Sequence, residues 1–387
     1  MIEEKTISIE LPCIKITQPL GDFFIASINS KELCEITDFD VRRMIKERDI
    51  ETYLGIQRPV NDKRVKEIGE YVNTLDACFP TSVILAIDGS CASYDAEKGK
   101  LTLSNYVEPE RFEEKIHYRQ IAKVLDGQHR IEGLKSYLQK SPFDINVSIF
   151  IDMDIENQAY IFSTVNLAQT KVNKSLVYDL YDLAKTRSPQ KTCHNVAVGL
   201  DKHKDSPLFH RIKRLGVATQ GRFNETITQA TFVQSLMPYI SSNPQKDRDV
   251  FLRKRLPELG KTIDLENLIF RQLFLQEKDL AIADIVWNYF DAIKQKWPDA
   301  WQLSTQGLML NRTNGFKALM RFLKPAYLTC RMAEQIVTTE KFFELFEGIS
   351  LKDADFNVEK FPPGTSGEST LFRELMTQSG LDKSFIR

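Results

Sequence analysis

The 387-residue sequence predicts an α+β protein in which an N-terminal α/β domain is followed by a mostly helical C-terminal domain. In the first part of the chain, short apolar and β-branched runs alternate with segments whose apolar residues recur at helical spacing. Beyond about residue 175 the strand signals fade and helical periodicity dominates. At about 150 residues per domain, the length predicts two domains, which we place at residues 1–172 and 173–387.

The elements of the first domain follow from local pattern and from capping residues. Asn61 or Asp62 can cap a helix in which Val65, Ile68, Val72 and Leu75 share one face. A polar loop is expected from Gly89 to Gly99. The predicted strands lie at 23–28, 82–88, 121–125 and 145–152. One predicted helix begins at Ser30, and two others cover 61–75 and 156–167. A further helix follows the turn at 126–130, with Ile131, Leu134 and Leu138 on one face.

The second domain is predicted from helical patterns alone. These patterns continue to Leu236 and recur at 269–274, 282–297 and 316–328, and a short final helix is expected around 371–376.

Charge and composition exclude several classes of protein. The chain has 52 Lys and Arg against 53 Asp and Glu, a formal charge of -1, so it cannot coat nucleic acid through bulk charge. Any DNA contact must use a local basic face. The six cysteines are scattered, without a CxxC pair, which predicts reduced thiols and no zinc ribbon. The N-terminus has no secretory pattern and the apolar runs are too short for a membrane helix, so we expect a cytoplasmic protein.

The turn Asp126-Gly127-Gln128-His129-Arg130 is the motif that indicates chemistry. A strand that leads through a glycine turn into a helix N-terminus offers unpaired N–H groups to an anion. Gly127 permits close backbone approach, Gln128 and His129 can donate hydrogen bonds, and Arg130 can fork onto phosphate oxygens. Asp126 can position a Mg²⁺-bound water. The structural alternative is an ordinary helix-capping turn in which Arg130 pairs with a nearby carboxylate.

These five residues resemble the signature of the DGQHR-domain family, which belongs to the wider ParB/sulfiredoxin-like fold. Residues 57–72 and 162–172 are similar to the helices that precede and follow the signature in that family. The resemblance implies a nucleotide-handling fold in DNA biology. Relatives include the DndB regulators of DNA phosphorothioation, proteins of 7-deazaguanine DNA modification clusters, and ParB clamps, which bind and hydrolyse CTP at the equivalent turn.

The resemblance also implies roles for individual residues. Asp126 and Arg130 would be catalytic, using Mg²⁺ with a nucleoside triphosphate. The implied nucleotide contacts are Gly127, Gln128, His129 and Arg130, with Arg58 and Arg64 as supporting cations. Asn166, Gln169 and Lys171 form a second polar group that can bind a base or ribose edge and neutralise charge, or else form a solvated helix end.

Two positions depart from the patterns of relatives. Gln128 stands where sulfiredoxin carries its catalytic cysteine, so reduction of a sulfinic acid is not expected. Leu125 precedes the signature where DndB-type chains carry a polar Asn, which puts direct equivalence to DndB in doubt.

Other familiar motifs are absent from the sequence. It contains no GxxxxGK[ST], no GxGxxG and no HExxH, which excludes a Walker-type ATPase, a Rossmann cofactor site and that class of metallopeptidase. Cys193, His194, His203 and His210 match no zinc-ligand spacing. Asp126, Asp152 and Asp154 are the carboxylates that a nuclease would use, although aspartates at strand ends commonly form turns.

Three basic groups are candidates for DNA contact. Lys317, Arg321 and Lys324 have i, i+4, i+7 spacing, which places three cations on one helix face, where they can follow phosphates or form a solvated surface. The other two groups lie at 202–214 and 248–255.

The sequence therefore leads to two functional hypotheses. The first is a nucleotide-binding, NTP-hydrolysing component of a bacterial DNA modification or anti-phage defence system. The alternative is a DndB-like DNA-binding transcriptional regulator without catalysis. A scaffold for other modification enzymes is a third interpretation, and in each case the expected partners include other proteins of a modification or restriction system.

Overall fold

A computed structural model of the protein describes residues 5–39, 43–47, 50–54, 60–105, 116–168, 174–260, 262–302, 307–331 and 336–381. The chain forms two compact units, unit 1 at residues 1–171 and unit 2 at residues 172–387. A mixed sheet with helices in unit 1 and a helical unit 2 confirm the predicted α+β class. Within the described residues, no helix is long and apolar enough to span a membrane.

Unit 1 is built on a mixed eight-stranded sheet. Its helices are α1 (Ser30–Ile36), α2 (Asp62–Tyr71), α3 (Gln128–Leu134) and α4 (Ile155–Ala168). Its strands are β1 (Ser8–Gln18), β2 (Gly21–Asn29), β3 (Thr37–Asp38), β4 (Arg43–Glu47), β5 (Ile50–Leu54), β6 (Val83–Ile87), β7 (Ala92–Asp95), β8 (Lys100–Ser104), β9 (Ala122–Asp126) and β10 (Asp144–Ile151).

Strand order determines which loops meet. The sheet runs β3-β9-β6-β10-β2-β1-β8-β7, while β4 and β5 form a separate antiparallel hairpin. The pairs β10–β6 and β3–β9 are parallel, and the other neighbours are antiparallel. Because β9 and β6 run in opposite directions, with Asp126 opposite Ile84, the end of β9 lies beside the start of β6.

Alternation along the strands produces the core of unit 1. In β10, Ile145, Val147 and Ile149 are fully buried, and the residues between them are less buried. On the opposite face of the sheet, Phe150 of β10 stacks on Phe23 of β2 with ring centroids 5.0 Å apart. Apolar residues on both faces explain why β10 can occupy the middle of the sheet.

Helices α2 and α3 end earlier than their apolar periodicity predicts. Leu75 and Leu138, expected on their apolar faces, are exposed. Between them, Asn73 donates through Nδ2 to the carbonyl oxygens of Gly69 and Ser136, at 2.8 and 2.9 Å. Its Oδ1 accepts from the amide of Leu138 at 3.0 Å. One asparagine thus satisfies backbone groups at both helix ends, so the helices can end there instead of continuing to Leu75 and Leu138. Helical periodicity alone does not reveal such side-chain hydrogen bonds.

The polar loop expected from Gly89 to Gly99 is more regular than predicted. A short 3₁₀ turn covers Gly89–Cys91, and β7 follows and pairs with β8. Asp88 accepts hydrogen bonds from the amide and the hydroxyl of Ser90, which initiates the turn.

Unit 2 contains helices around an aromatic core. Phe290 stacks on Trp301 and on Phe316, with ring centroids 5.1 and 5.3 Å apart. Its described helices are α5 (Lys174–Asp179), α6 (Pro189–Lys202), α7 (Gln229–Leu236), α8 (Pro244–Leu252), α9 (Thr262–Asn267), α10 (Arg271–Leu275), α11 (Asp279–Lys296), α12 (Pro298–Gln302), α13 (Thr313–Cys330), α14 (Thr339–Glu347) and α15 (Thr365–Gln378), and β11 (Ile212–Lys213) pairs with β12 (Ile227–Thr228).

Candidate functional site

The candidate turn begins where β9 ends and requires glycine at its second position. Gly127 has φ 103° and ψ 10°, a left-handed conformation that side chains disfavour. A Cβ at this position would lie 2.9 Å from Cγ2 of Val83. The carbonyl of Gly127 accepts from the amides of Arg130 and Ile131, at 2.9 and 3.1 Å, and so begins α3. The predicted order of strand, turn and helix is confirmed.

Arg130 connects the turn to the start of β6. Its Nη1 donates to the carbonyl and the hydroxyl of Thr81 at 2.5 and 2.9 Å. Its Nη2 donates to the carbonyl of Ser82 at 3.0 Å and to Oδ2 of Asp126 at 3.1 Å. The side chains of Arg130 and Asp126 are only 16% and 17% exposed. The guanidinium is therefore engaged by groups of its own domain.

The electrostatics of the turn bring a further cation into the site. Burial lowers the pKa of the Arg130 guanidinium, and the carboxylate of Asp126 opposes that shift. The charge of Arg64 lowers the same pKa further, so Arg64 is near enough to act on Arg130. Arg64 is exposed on α2. The structure thus brings one predicted supporting cation into the neighbourhood of the turn, where two cations accompany one carboxylate.

His129 and Gln128 face inward. His129 is 8% exposed, and its Nε2 accepts a hydrogen bond from the amide of Asn61 at 3.1 Å. Asn61 in turn caps α2, because its Oδ1 accepts from the amide of Arg64 at 3.1 Å. At this nitrogen His129 accepts rather than donates, and the contact joins α3 to the start of α2. Gln128 is 4% exposed.

The structure does not describe the side chains of the remaining predicted nucleotide contacts. Arg58, Gln169 and Lys171 lie outside the described residues, and Asn166 is placed in α4. Their proposed roles remain predictions from the sequence.

The carboxylates considered for metal binding have local structural contacts. Oδ1 of Asp152 accepts from the amide of Gly89 at 2.5 Å, and Oδ1 of Asp154 accepts from the amide of Asn157 at 2.8 Å. Among the described residues, no group of three or more His, Cys, Asp or Glu is arranged to hold a metal ion. Asp126 can supply one oxygen to Mg²⁺, so phosphate oxygens and water would have to complete an octahedral shell.

A cavity of about 710 Å³ lies in unit 1. Of the described residues that line it, none belongs to the turn at 126–130. Its lining comes from α1, β3, the 3₁₀ turn Tyr118–Gln120 and the later part of α3, and it includes Cys34, Asp38, Tyr118, Arg119 and Lys135.

The cationic stripe on α13 is only partly available to DNA. Nη1 of Arg321 lies 3.2 Å from Oε1 of Glu368, and its guanidinium lies 4.4 Å from the ring centroid of Phe372. Nζ of Lys324 donates to Oδ1 of Asn267 at 2.5 Å. Lys317 is half-buried. All three residues lie on one helix as predicted, but two of them also stabilise the packing of unit 2.

Thr81, Ser82 and Asn61 contact the turn, although no local pattern predicts these contacts. Thr81 and Ser82 precede β6 and carry no motif, and they reach Arg130 only because β6 pairs with β9. The sequence predicts Asn61 only as a helix cap, and its contact with His129 depends on the packing of α2 against α3.

Comparison with known proteins relates the N-terminal part of the chain to one family. The family model described as DndB, DNA-sulfur modification-associated, matches residues 11–195. No curated protein and no solved structure matches the chain significantly. The match covers just under half of the chain and includes the candidate turn. It supports the predicted relationship to DndB-type proteins and an association with DNA modification.

Proposed function

We propose that this protein is a DndB-like, DNA-binding transcriptional regulator in a DNA phosphorothioation system, and that it acts without hydrolysing nucleotides. The observation that carries this choice is the engagement of Arg130 in four hydrogen bonds within unit 1. The match of residues 11–195 to a family associated with DNA sulfur modification supports a role in such a modification system. The partners that this function requires are DNA and other proteins of the modification system.

The contacts of Arg130 make phosphate binding costly. If the guanidinium of Arg130 bound a phosphate instead, the carbonyl of Ser82 and the carboxylate of Asp126 would lose the hydrogen bonds that it donates to them. A partly buried polar group left without a partner costs about 1–3 kcal/mol. Bound phosphate would have to offset that cost, whereas a regulator that binds no nucleotide retains the hydrogen bonds of Arg130.

A binding titration tests the regulator directly. Fluorescence anisotropy is measured with a labelled duplex from the promoter of the protein's own gene cluster and with a shuffled duplex of equal length. We expect tighter binding to the promoter over a series of salt concentrations, since specific and non-specific DNA binding commonly differ by about 10³-fold or more. Equal affinity for the two duplexes at every salt concentration would contradict the proposal.

Charge reversal tests whether the stripe on α13 contributes to DNA binding. Lys317→Glu is the cleanest variant, because Arg321 and Lys324 have structural partners. We expect weaker binding to both duplexes and a shallower salt dependence, by about 0.9 in log–log slope for each phosphate that the protein no longer neutralises. Lys140→Glu, at an exposed lysine of unit 1, is the control.

Nucleotide binding and hydrolysis at the turn is a second candidate, which is favoured by the hydrogen bonds that join the start of α2, with Arg64, to His129 of the turn. In that reaction Asp126 would act through Mg²⁺ or a positioned water, and Arg130 would stabilise charge on the phosphoryl oxygens. Phosphate release is measured with each NTP and Mg²⁺, with and without duplex DNA. Release that disappears in Asp126→Asn would favour this candidate over a non-catalytic regulator, whereas release that persists would exclude Asp126 as its cause.

A further inference from the structure

Helix α8 ends in a turn that carries three consecutive cations. The amide of Lys254 donates to the carbonyl of Phe251 at 2.8 Å, and the amide of Arg255 donates to the carbonyl of Val250 at 3.1 Å. These two bonds form a Schellman motif, in which Lys254 has the left-handed conformation with φ 54°. Arg253, which caps the helix, and the two residues after it are exposed. Because consecutive Cα atoms are about 3.8 Å apart, the three charged side chains leave the backbone within about 8 Å of one another.

A buried guanidinium fixes both ends of the segment that carries this turn. Arg271 is buried, and its Nη2 donates to Oδ1 of Asp247 on α8 at 3.0 Å and to the carbonyl of Glu258 at 2.7 Å. Its Nε donates to the same carbonyl at 3.2 Å. Residues 248–257 are thus closed between two contacts of one side chain. A partner that binds the turn therefore has little backbone to order, which lowers the entropic cost of binding.

The three cations exceed what their surroundings neutralise. Among the described residues, none of Arg253, Lys254 and Arg255 has an ion-pair partner. The nearest acids along the chain are Asp249 and Glu258, which are exposed and lie beyond ion-pair distance of these cations. The C-terminal end of a helix carries about half a negative charge, so the end of α8 offsets only part of three positive charges. An excess of positive charge therefore remains on this turn.

The turn is more available to an anion than the stripe on α13. In that stripe, Arg321 pairs with Glu368 and Lys324 donates to Asn267. The three cations at the end of α8 have no such contacts within the described part of the chain. A polyanion that binds this turn therefore breaks no ion pair, and the unpaired side chains are long enough to turn toward it.

We propose that Arg253, Lys254 and Arg255 bind phosphates of the DNA backbone. Such contacts position a protein on the duplex and add affinity, but they do not read the base sequence. Leu252 and Leu256 flank the cations and are exposed, as on surfaces that bind anionic membranes. The match to a family associated with DNA sulfur modification favours DNA over a membrane. This inference rests on the proposed DNA-binding function and assigns it a site of contact.

Anisotropy titrations with the promoter duplex and the shuffled duplex, from about 50 to about 200 mM salt, test the site. The triple variant Arg253→Gln/Lys254→Gln/Arg255→Gln is expected to bind both duplexes more weakly. Its log–log salt slope should be flatter by about 0.9 for each lost phosphate contact, or about 2.7 in all. Over this range of salt, the affinity of the wild type should then fall by a factor about 40 times larger than that of the variant.

A second triple variant is the control for net charge. Lys31→Gln/Lys140→Gln/Lys278→Gln removes the same charge from three exposed lysines in separate segments, none of which has an ion-pair partner among the described residues. If phosphates are bound by the turn at the end of α8, this control should keep the salt slope of the wild type. An equal loss of slope in both triple variants would attribute the effect to net charge and would overturn the site.

Lys254→Gly separates DNA contact from folding. Glycine favours the left-handed conformation, so this variant should unfold about 2–4 °C above the wild type although it binds the duplex more weakly. Helix α10 ends in the same motif, in which Glu277 has φ 58° and the amides of Glu277 and Lys278 donate to the carbonyls of Phe274 and Leu273. Glu277→Gly should raise the unfolding temperature in the same way without weakening DNA binding.

The outcomes distinguish the site from the function. If the wild type binds duplex and the triple variant at 253–255 has the same affinity and salt slope, the site is overturned while the regulator stands. If the wild type binds neither duplex at low salt, the proposed function fails and this inference fails with it. Vesicles that contain phosphatidylserine test the membrane. If the wild type sediments with them, and the triple variant loses that binding but keeps its affinity for duplex, the turn binds a membrane and the inference is overturned.

Discussion

Arg130 joins segments that are remote in sequence, since its guanidinium contacts both the turn and the residues before β6. Arg130→Ala would leave the carboxylate of Asp126 and the carbonyl of Ser82 without this donor. We expect the free energy of unfolding to fall by about 2–4 kcal/mol, as for other partly buried pairs in which one partner is removed. Urea unfolding followed by circular dichroism measures the change.

Arg64→Ala is the matched control for Arg130, because the side chain of Arg64 is exposed on α2. We expect its stability to stay within about 0.5 kcal/mol of wild type. A phosphate-binding role predicts the opposite pattern for Arg130→Ala, with unchanged stability and abolished nucleotide affinity. An unfolding curve of Arg130→Ala that coincides with wild type would therefore contradict the structural role.

The thiols should differ in reactivity because they differ in exposure and pKa. Cys78 is exposed, whereas burial raises the pKa of both Cys34 and Cys330 to about 11. At about pH 8 only about a thousandth of a thiol with that pKa is ionised, and the thiolate is the reactive form. A chromogenic disulfide reagent should show a rapid phase that Cys78→Ser removes. Rapid labelling of equal amplitude in that variant would contradict the assignment.

The raised pKa values of Cys34 and Cys330 predict the direction in which stability changes with pH. In the unfolded chain Cys34 and Cys330 ionise near their ordinary pKa of about 9, while in the folded chain they keep their protons to about pH 11. The unfolded state therefore binds fewer protons in this interval, and the contribution of these thiols to stability falls as pH rises from about 9 to 11.

At the scale of elements, two glycines allow α2 and α3 to cross closely. A Cβ on Gly133 would lie 2.7 Å from Cβ of Ile68 on α2, and one on Gly69 would lie 3.1 Å from Cβ of Ser136. Gly133→Ala is expected to lower stability by about 1–3 kcal/mol, because the overlap outweighs the gain of about 1 kcal/mol in helix propensity. Chemical denaturation measures the difference.

Gly199→Ala is the comparison for Gly133→Ala. Gly199 lies within α6, and an added Cβ would meet nothing within 4 Å. This variant should gain about 0.5–1 kcal/mol from propensity alone. Stabilisation by both substitutions would show that the crossing of α2 and α3 tolerates a larger separation than the contacts of Gly133 imply.

At the scale of the whole molecule, the two units have separate hydrophobic cores. The buried cluster of unit 1 draws its residues from Ile7 to Ile149, and that of unit 2 draws them from Cys193 to Met376. Residues 172–387 expressed alone are therefore expected to give a helical circular dichroism spectrum and a cooperative thermal transition. A non-cooperative transition, or binding of a dye specific for exposed apolar surface, would show that this core needs residues 1–171.

Local sequence predicted the order of strand, turn and helix around the candidate turn and the helical second half, but it did not predict β1, β7 or β8. The α+β class, the capped helix after Asn61, the turn at 126–130 and the helices of the second half follow from periodicity and capping, which act over a few residues. The sequence indicated Gly127 as a position of close backbone approach, whereas its left-handed conformation and the contact with Val83 that excludes a Cβ are seen only in the structure.

Tertiary structure decided which partners these elements have. Antiparallel pairing of β6 with β9 brought Ser82 to Arg130, Asn73 bonded the ends of two helices at once, and the carboxylate of Asp201 bound Arg222. Such contacts join residues tens of positions apart, so they depend on strand order and helix packing. No local pattern encodes that choice, because many pairings satisfy the same alternation of apolar and polar residues.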